Sequence, residues 1–143
     1  MTIEVELVRE VTDEVVEAFG RLLPQLSTSA QQLDAQSLTT IATWQGNSLL
    51  LARIDGVIVG ALTLVVFPIP SGMRARIEDV VVDSAARGKG VGATLTQEAL
   101  GVARELGART VDLTSRPARE AANRLYERMG FARRDSTVYR KVP

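Results

Sequence analysis

Apolar and polar positions alternate with several different periods along the chain, and each change of period predicts a new element. Residues 4–9 alternate between acidic and apolar side chains, which is typical of a half-buried strand. Thr12 followed by Asp13 and Glu14 is a helix N-terminal signal, so we expect a helix that ends at Pro24. The next 22 positions, residues 25–46, are rich in Gln, Ser and Thr and predict only a short, weakly anchored helix between loops.

A β-hairpin is predicted in the middle of the chain. Residues 47–54 and 57–66 are two apolar, β-branched runs, and Asp55-Gly56 between them suits the positive φ angles of a two-residue turn. Residues 74–82 then predict a third strand. The longest apolar run, residues 57–67, is far shorter than the roughly 20 residues that cross a bilayer, so we expect no membrane span.

Helices and short strands are predicted to alternate after residue 82. Helical spacing of apolar side chains runs from Gly90 to a C-terminal stop at Gly107, and Pro117 suits the first position of a helix that ends at Gly130. Short strands are expected at residues 110–114, 131–134 and 137–142. The whole pattern predicts a mixed α/β sheet in a single domain that spans residues 1–143.

Composition limits the chemistry. The 143 residues include no Cys and no His, which excludes disulfides, thiolate nucleophiles, Ser-His-Asp triads and the commonest transition-metal ligands. We therefore expect no metal. Acidic and basic residues are equal at 17 each, so no net charge favours nucleic acid or an anionic membrane. No secretory signal opens the chain, and we expect a cytoplasmic protein.

One glycine-rich turn carries the strongest functional signal. Residues 80–92 read V-V-V-D-S-A-A-R-G-K-G-V-G, which predicts a strand, a turn and the start of a long helix. Unpaired amides at a helix start bind anions, and glycines let a phosphate approach them. The turn lacks the Ser or Thr that follows Gly-Lys in a Walker A loop, and its evenly spaced glycines fit the dinucleotide fingerprint poorly. A purely structural tight connection is the remaining alternative.

Two motifs in this order resemble those of the GNAT acyltransferase superfamily. Arg87, Gly90 and Gly92 match its pattern of Gln or Arg, two residues, Gly, any residue, then Gly or Ala. Residues 123–131, N-R-L-Y-E-R-M-G-F, resemble the family's downstream pattern of asparagine, leucine-tyrosine and glycine-phenylalanine. The order of elements is also similar over residues 4–142. The resemblance implies a GNAT-like, mostly antiparallel central sheet flanked by helices.

The resemblance also implies an acetyl-CoA site. The backbone of Val80 and Val82 would pair with the pantetheine arm, as an added strand does. Asn123 would contact the pantetheine or the thiol end, and the Tyr126 hydroxyl would point at the sulfur and act as the acid. The pyrophosphate would be held by Arg87, Gly88, Lys89, Gly90, Val91 and Gly92.

Without histidine, the general base must come from a carboxylate or a water chain. Glu78 and Asp79 lie in the otherwise apolar run of residues 77–82, where desolvation raises the pKa of a carboxyl group. Period-two alternation places them on opposite faces of the sheet, and it places Glu78 on the same face as Val80 and Val82. We therefore favour Glu78 as the base, while an ion pair with Arg74 or Arg76 is the structural alternative.

The predicted function is transfer of an acetyl group from acetyl-CoA to a primary amine of a small molecule, an amino sugar or a peptide. The alternative is a non-catalytic acyl-CoA-binding regulatory module, which needs the turn but neither Tyr126 nor Glu78. The acceptor pocket is expected from residues 20–46 and 131–142, which contain no readable motif. The last predicted strands could also pair across a homodimer.

Overall fold

The computed structural model describes residues 1–143, which divide into two compact units, Met1–Leu113 and Thr114–Pro143. The first unit holds a five-stranded sheet in which the strands lie side by side in chain order. The first four pair antiparallel, and the last pairs parallel with the fourth. The sheet is mixed and mostly antiparallel, as predicted. Its strands are β1 (Ile3–Leu7), β2 (Asn47–Ile54), β3 (Val57–Ile69), β4 (Gly72–Val82) and β5 (Thr110–Asp112).

Three α-helices and a 3-10 helix at Ser84–Ala86 belong to the first unit, and one α-helix belongs to the second. The α-helices are α1 (Asp13–Leu26), α2 (Ala35–Thr43), α3 (Val91–Glu105) and, in the second unit, α4 (Glu120–Arg128). The Thr12 side chain accepts a hydrogen bond from the Val15 N–H, which caps α1 as its sequence predicts. None of these helices is both long and apolar enough to span a bilayer.

The β2–β3 hairpin is confirmed. Ile54 pairs with Val57, so the loop consists of Asp55 and Gly56 alone, and their φ angles are +51° and +81°. Both values lie in the left-handed region that a two-residue turn of this kind requires, and Asp and Gly are among the residues that tolerate it.

Within the first unit, α1 and α2 cover one face of the sheet and α3 covers the other. Ala61 on β3 belongs to an apolar core cluster with Phe19 and Leu22 of α1 and Leu38 of α2. The neighbouring residue Gly60 faces the opposite side of the sheet. A Cβ atom added there would lie 2.9 Å from Val91 and 3.1 Å from Leu95 of α3. A glycine is needed at residue 60 for α3 to pack this closely on β3.

A β-bulge interrupts β4. Thr63 pairs with Glu78 and Ala61 pairs with Val81, so two residues of β4, Asp79 and Val80, lie opposite Leu62 alone. Asp79 has a φ of +51°, the left-handed conformation found in some bulges. Because the bulge adds one residue, the alternation of side chains between the two faces shifts at this point.

Two helix predictions need correction. Helix α1 continues through Pro24 to Leu26, because a proline in the last turn removes one hydrogen bond and the Ser27 N–H still bonds the Leu23 carbonyl. Helix α2 is firmly anchored, since Leu38 is fully buried in the core of the first unit. Ala42 also packs against this core, and the Asn47 side chain donates to the Ile41 carbonyl, so α2 is held by more contacts than its polar sequence indicates.

The end of the chain also differs from expectation. Helix α4 begins at Glu120 and not at Pro117, because the Arg119 N–H bonds the Arg116 carbonyl and closes a separate turn first. Residues 131–143 form no strand, so the two predicted closing strands are wrong. Val138, Tyr139 and Val142 near the end of this segment are exposed, so the alternating pattern there does not correspond to a buried face.

Candidate active site

The turn between β4 and α3, residues 87–92, is called the glycine turn below. Helix α3 has no side-chain cap, and its first backbone bond is from the Thr94 N–H to the Gly90 carbonyl. The six consecutive amides of residues 88–93 have no acceptor in the chain. Together with the positive end of the α3 dipole, they form a concentrated set of donors for an anion.

Glycines are required in this turn by backbone conformation. Gly88 has a φ of +78° and Gly90 a φ of +86°. A Cβ atom added at either position would meet nothing within 4 Å, so the surroundings leave open space at the donors. The turn therefore exposes its amides to a ligand as well as leaving them unpaired.

Two cations flank these amides. Arg87 and Lys89 are exposed and make no ion pair or side-chain hydrogen bond within the chain. Free cations beside backbone donors fit a ligand with several negative charges, such as a diphosphate. Pyrophosphate binding by residues 87–92 stays a prediction, and the unpaired amides and exposed cations of the turn are compatible with it.

Helix α1 contacts the residues that precede the glycine turn. Arg21 donates to the Asp83 carboxylate at 3.2 Å, and the Gln25 side chain accepts from the Ser84 N–H at 2.8 Å. Asp83 in turn accepts from the Ala85 N–H. The sequence does not predict this contact between α1 and the segment at Asp83 and Ser84, because the bonded residues are 59 and 62 positions apart.

The C-terminal half of β4 has a free edge. Strand β5 pairs with β4 only at Arg74, Ala75 and Arg76, so residues 77–82 have no strand partner on that side. A strand edge presents N–H and C=O groups that an extended ligand can pair with. Val80 and Val82, the predicted pantetheine contacts, lie in this unpaired stretch.

An apolar cavity of about 50 Å³ opens beside the β4 bulge. Its walls come from α1, α2, the loop between them and strands β2 to β4. Asp79 is the only charged residue in the lining and Thr63 the only uncharged polar one. The full lining is Phe19, Leu23, Leu26, Leu33, Leu38, Ile41, Leu49, Ala61, Thr63, Asp79 and Val81. This set is called the apolar cavity below.

Asp79 differs from an ordinary surface carboxylate. It is exposed as a whole, yet neighbouring protein atoms desolvate its carboxyl group and raise its pKa, and the negative charge of Glu78 adds to the rise. Its carboxylate has no ion pair or hydrogen bond within the chain. It is a free carboxylate of raised pKa at an apolar cavity, which are the properties of a proton acceptor.

Glu78 is placed differently from the prediction. Residues paired directly across a sheet share a face, and Ala61 and Thr63, two residues apart on β3, also share one. Their partners Val81 and Glu78 therefore lie on the same face, whereas Val82, opposite Gly60, lies on the other. The bulge is the reason that the period-two argument for Glu78 is wrong. Glu78 also forms an ion pair with Arg76, with 3.1 Å between Nε and Oε1. This ion pair is the structural role that the sequence offers as the alternative to catalysis.

The second unit contains Tyr126 in a well-defined helix end. The Phe131 N–H bonds the Tyr126 carbonyl and the Gly130 N–H bonds the Glu127 carbonyl, with Gly130 at a φ of +95°. These two bonds form a Schellman motif, and the ring contact that goes with it joins Tyr126 and Phe131 with centroids 5.7 Å apart. The glycine-phenylalanine pattern therefore has a structural role in fixing the Tyr126 ring.

Tyr126 is buried, and burial raises the pKa of its phenol, with a smaller opposing effect from the positive charge of Arg119. The hydroxyl makes no hydrogen bond in the chain. Asn123 lies one turn earlier on α4 and donates from Nδ2 to the Arg116 carbonyl at 3.1 Å. Its amide nitrogen is thus used in the turn before α4, and its Oδ1 has no partner.

Comparison with known proteins agrees with this fold. The acetyltransferase (GNAT) family model matches residues 10–131, a range that includes parts of both units. Curated protein sequences give no significant match.

Solved structures are similar over nearly the whole chain. A transcriptional regulator from Bacillus halodurans C-125 is 27% identical with a TM-score of 0.83, and 99% of this chain and 100% of that one are covered. A Trypanosoma brucei acetyltransferase is 26% identical with a TM-score of 0.79 and the same coverage.

An aminoglycoside acetyltransferase from an uncultured soil metagenomic sample, solved with sisomicin, has a TM-score of 0.83 at 18% identity. The alignment covers 99% of this chain and 95% of that one, and it shows the shared fold. With the family match extending over most of its length, this chain belongs to the acetyltransferase (GNAT) family.

Proposed function

We propose that this acetyltransferase moves an acetyl group from acetyl-CoA directly to a primary amine in a ternary complex. The observation that carries the proposal is the run of six unpaired amides at residues 88–93, at the glycine turn and the start of α3, shortly after a strand with a free edge. The family match supports an acetyltransferase, and GNAT proteins use acetyl-CoA in general.

The chain's own residues fit acetyl-CoA. Amides of the glycine turn, with Arg87 and Lys89, bind the pyrophosphate, and the backbone of Val80 and Val82 pairs with the pantetheine arm. Asn123 contacts the pantetheine or its thiol end through its free Oδ1. Acetyl-CoA supplies a thioester carbonyl as the electrophile. A backbone N–H at Val80 would polarise that carbonyl oxygen, as oxyanion donors do.

A base must first make the amine nucleophilic, because an ammonium group has no free electron pair. We assign this proton transfer to Asp79, directly or through water, since it is the carboxylate of raised pKa at the apolar cavity. Glu78, the base favoured by the sequence pattern, is the second candidate. The amine nitrogen then forms the new C–N bond while the C–S bond breaks.

Tyr126 is proposed as the acid. The thiolate that leaves takes a proton from the Tyr126 phenol. The nitrogen loses a second proton as the amide forms, and this proton balances the one given to sulfur. A phenol whose pKa is raised by burial stays protonated through the neutral range and can donate to sulfur. Its unbonded hydroxyl is consistent with a donor held for a substrate.

The test is release of free CoA from acetyl-CoA in the presence of primary amines, with the acetylated amine identified by mass spectrometry. The proposal requires an amine-dependent product. CoA release at the same rate with and without amine, and no acetylated product, would contradict it.

A non-catalytic acyl-CoA-binding regulator is the alternative, and one structural relative is described as a transcriptional regulator. A regulator requires the glycine turn but no free carboxylate in a cavity and no buried phenol. It would bind CoA in a calorimetric titration and acetylate no amine, so the two measurements together separate the hypotheses.

A further inference from the structure

The apolar cavity carries information about the acceptor. Of its 11 lining residues only Asp79 and Thr63 are polar, and the remaining walls are Leu, Ile, Val, Ala and Phe side chains. A group that enters this space meets hydrocarbon on most sides. A hydroxyl buried there without a partner weakens binding by roughly 5- to 150-fold.

The cavity is also small. A cavity of about 150 Å³ lined by apolar side chains binds benzene. The present one measures about 50 Å³, which suits a short alkyl group and not a sugar ring. Sugar amines carry hydroxyl groups on most of their carbons, so both the size and the polarity of the cavity disfavour them.

Its position ties the cavity to the proposed reaction. Asp79 and Val81 line it, and Val80 between them belongs to the free edge of β4. An amine whose nitrogen lies at the Asp79 carboxylate would therefore direct its substituent into the cavity and remain next to that edge. The bulge at Asp79 and Val80 is what brings the carboxylate and the edge into adjacent positions.

From these observations, and resting on the proposed function, we propose that the acceptor is a primary amine bearing a short apolar substituent next to its nitrogen. The positive amine is bound by Asp79 and the substituent by the apolar cavity. A free alkylamine and the N-terminal residue of a peptide both offer this chemistry.

The experiment compares amines in the CoA-release assay at fixed acetyl-CoA. One arm uses ethylamine, n-propylamine, n-butylamine and n-octylamine, a second uses tripeptides that begin with Gly, Ala, Val or Ser, and a third uses glucosamine and sisomicin. We expect kcat/KM to rise about fourfold for each methylene until the cavity is full, and then to level or fall. The arm with the higher values identifies the source of the amine.

Leu33 provides a matched pair of variants, because it lines the cavity from the loop before α2 and lies outside every helix and strand. Leu33→Ala enlarges the cavity and should move the optimum to a longer substituent. Leu33→Phe fills it and should move the optimum to a shorter one. Since both variants are compared only by their chain-length preference, a general loss of activity does not affect the result.

Higher kcat/KM for glucosamine or sisomicin than for every apolar amine would overturn this inference and leave the proposed acetyltransferase function intact. The same conclusion follows if neither Leu33 variant shifts the optimum. If no amine in any arm gives an acetylated product, the proposed function itself is wrong.

Discussion

The glycine turn and the apolar cavity both belong to the first unit but are built on different principles. The glycine turn presents backbone amides from consecutive residues, and its side chains contribute only two exposed cations. The apolar cavity is formed by side chains from two helices, a loop and three strands, and it contains one carboxylate. Backbone donors recognise a group common to every CoA ester, whereas side chains can change to suit one acceptor.

This difference predicts how each region responds to mutation. Substitution in the glycine turn should alter acetyl-CoA binding through backbone conformation, with little dependence on which side chain is introduced. Changes in the apolar cavity should alter turnover and acceptor choice and leave CoA affinity unchanged.

The largest effect is expected for Asp79→Asn, which removes the proposed base. We expect kcat to fall about 10³-fold, within the usual range for general acid-base catalysis, while CoA affinity in calorimetry stays the same. The adjacent Glu78→Gln variant is the matched control and should keep most of its activity. A larger loss in Glu78→Gln than in Asp79→Asn would assign the base to Glu78.

The pH dependence of stability gives Asp79 a second, independent readout. Because desolvation, with a smaller effect from the Glu78 charge, raises the pKa of Asp79 above its ordinary value in the folded state, the fold favours the protonated carboxyl group. The contribution of this carboxyl group to the free energy of unfolding is therefore most favourable at low pH and is lost as the pH rises through the folded-state pKa. Thermal unfolding at pH 7 should show Asp79→Asn to be at least as stable as the wild type, although it is far less active.

Tyr126→Phe should have the next largest effect. It removes the phenol proton donor but keeps the ring and its contact with Phe131, so the Schellman end of α4 stays intact. We expect kcat to fall about 10²-fold, at the low end for a catalytic acid because a thiolate is a fairly good leaving group. Unchanged kcat with acetyl-CoA and a good acceptor would exclude this role.

Gly90→Ala tests the backbone of the glycine turn. An alanine at a φ of +86° costs about 1–2 kcal/mol of strain, and its relief should displace the amides and raise the KM for acetyl-CoA about tenfold. Gly101→Ala is the control, since Gly101 also has open space around it but lies inside α3. That variant should gain about 0.5–1 kcal/mol of unfolding free energy and keep its KM.

Lys89→Ala should have the smallest effect. An exposed cation contributes modestly to binding and is screened by salt, so the KM for acetyl-CoA should rise only a few-fold at low salt and less at high salt. A hundredfold loss of affinity would mean that the side chain, and not the backbone, provides most of the binding.

The two regions also differ in how well the sequence predicts them. The glycine turn consists of consecutive residues, so its place between a strand and a long helix is predicted from the sequence alone, and Gly88 and Gly90 have the positive φ angles that favour glycine. The apolar cavity depends on contacts between residues far apart in the chain, such as Phe19, Leu38 and Asp79.

The bulge in β4 explains the one misplaced side chain of the site. Strict alternation predicts which face of the sheet each residue of a regular strand occupies. One inserted residue reverses the faces of all residues after it. Nothing in the sequence Ile77-Glu78-Asp79-Val80 indicates the insertion. The hairpin at Asp55-Gly56, whose turn chemistry is local, was predicted correctly. At residues 137–142 the alternating pattern predicts a strand that does not form, because a strand also needs a neighbouring strand to pair with.

Binding of CoA by the amides of the glycine turn is the claim on which both proposals depend, and amide NMR tests it most directly. In a titration of ¹⁵N-labelled protein with CoA, the amide protons of residues 88–93 should move downfield together and saturate, as expected when they donate to phosphate oxygens, while Gly101 in the same helix should shift little. Saturable binding of CoA with the signals of residues 88–93 unmoved would contradict the account.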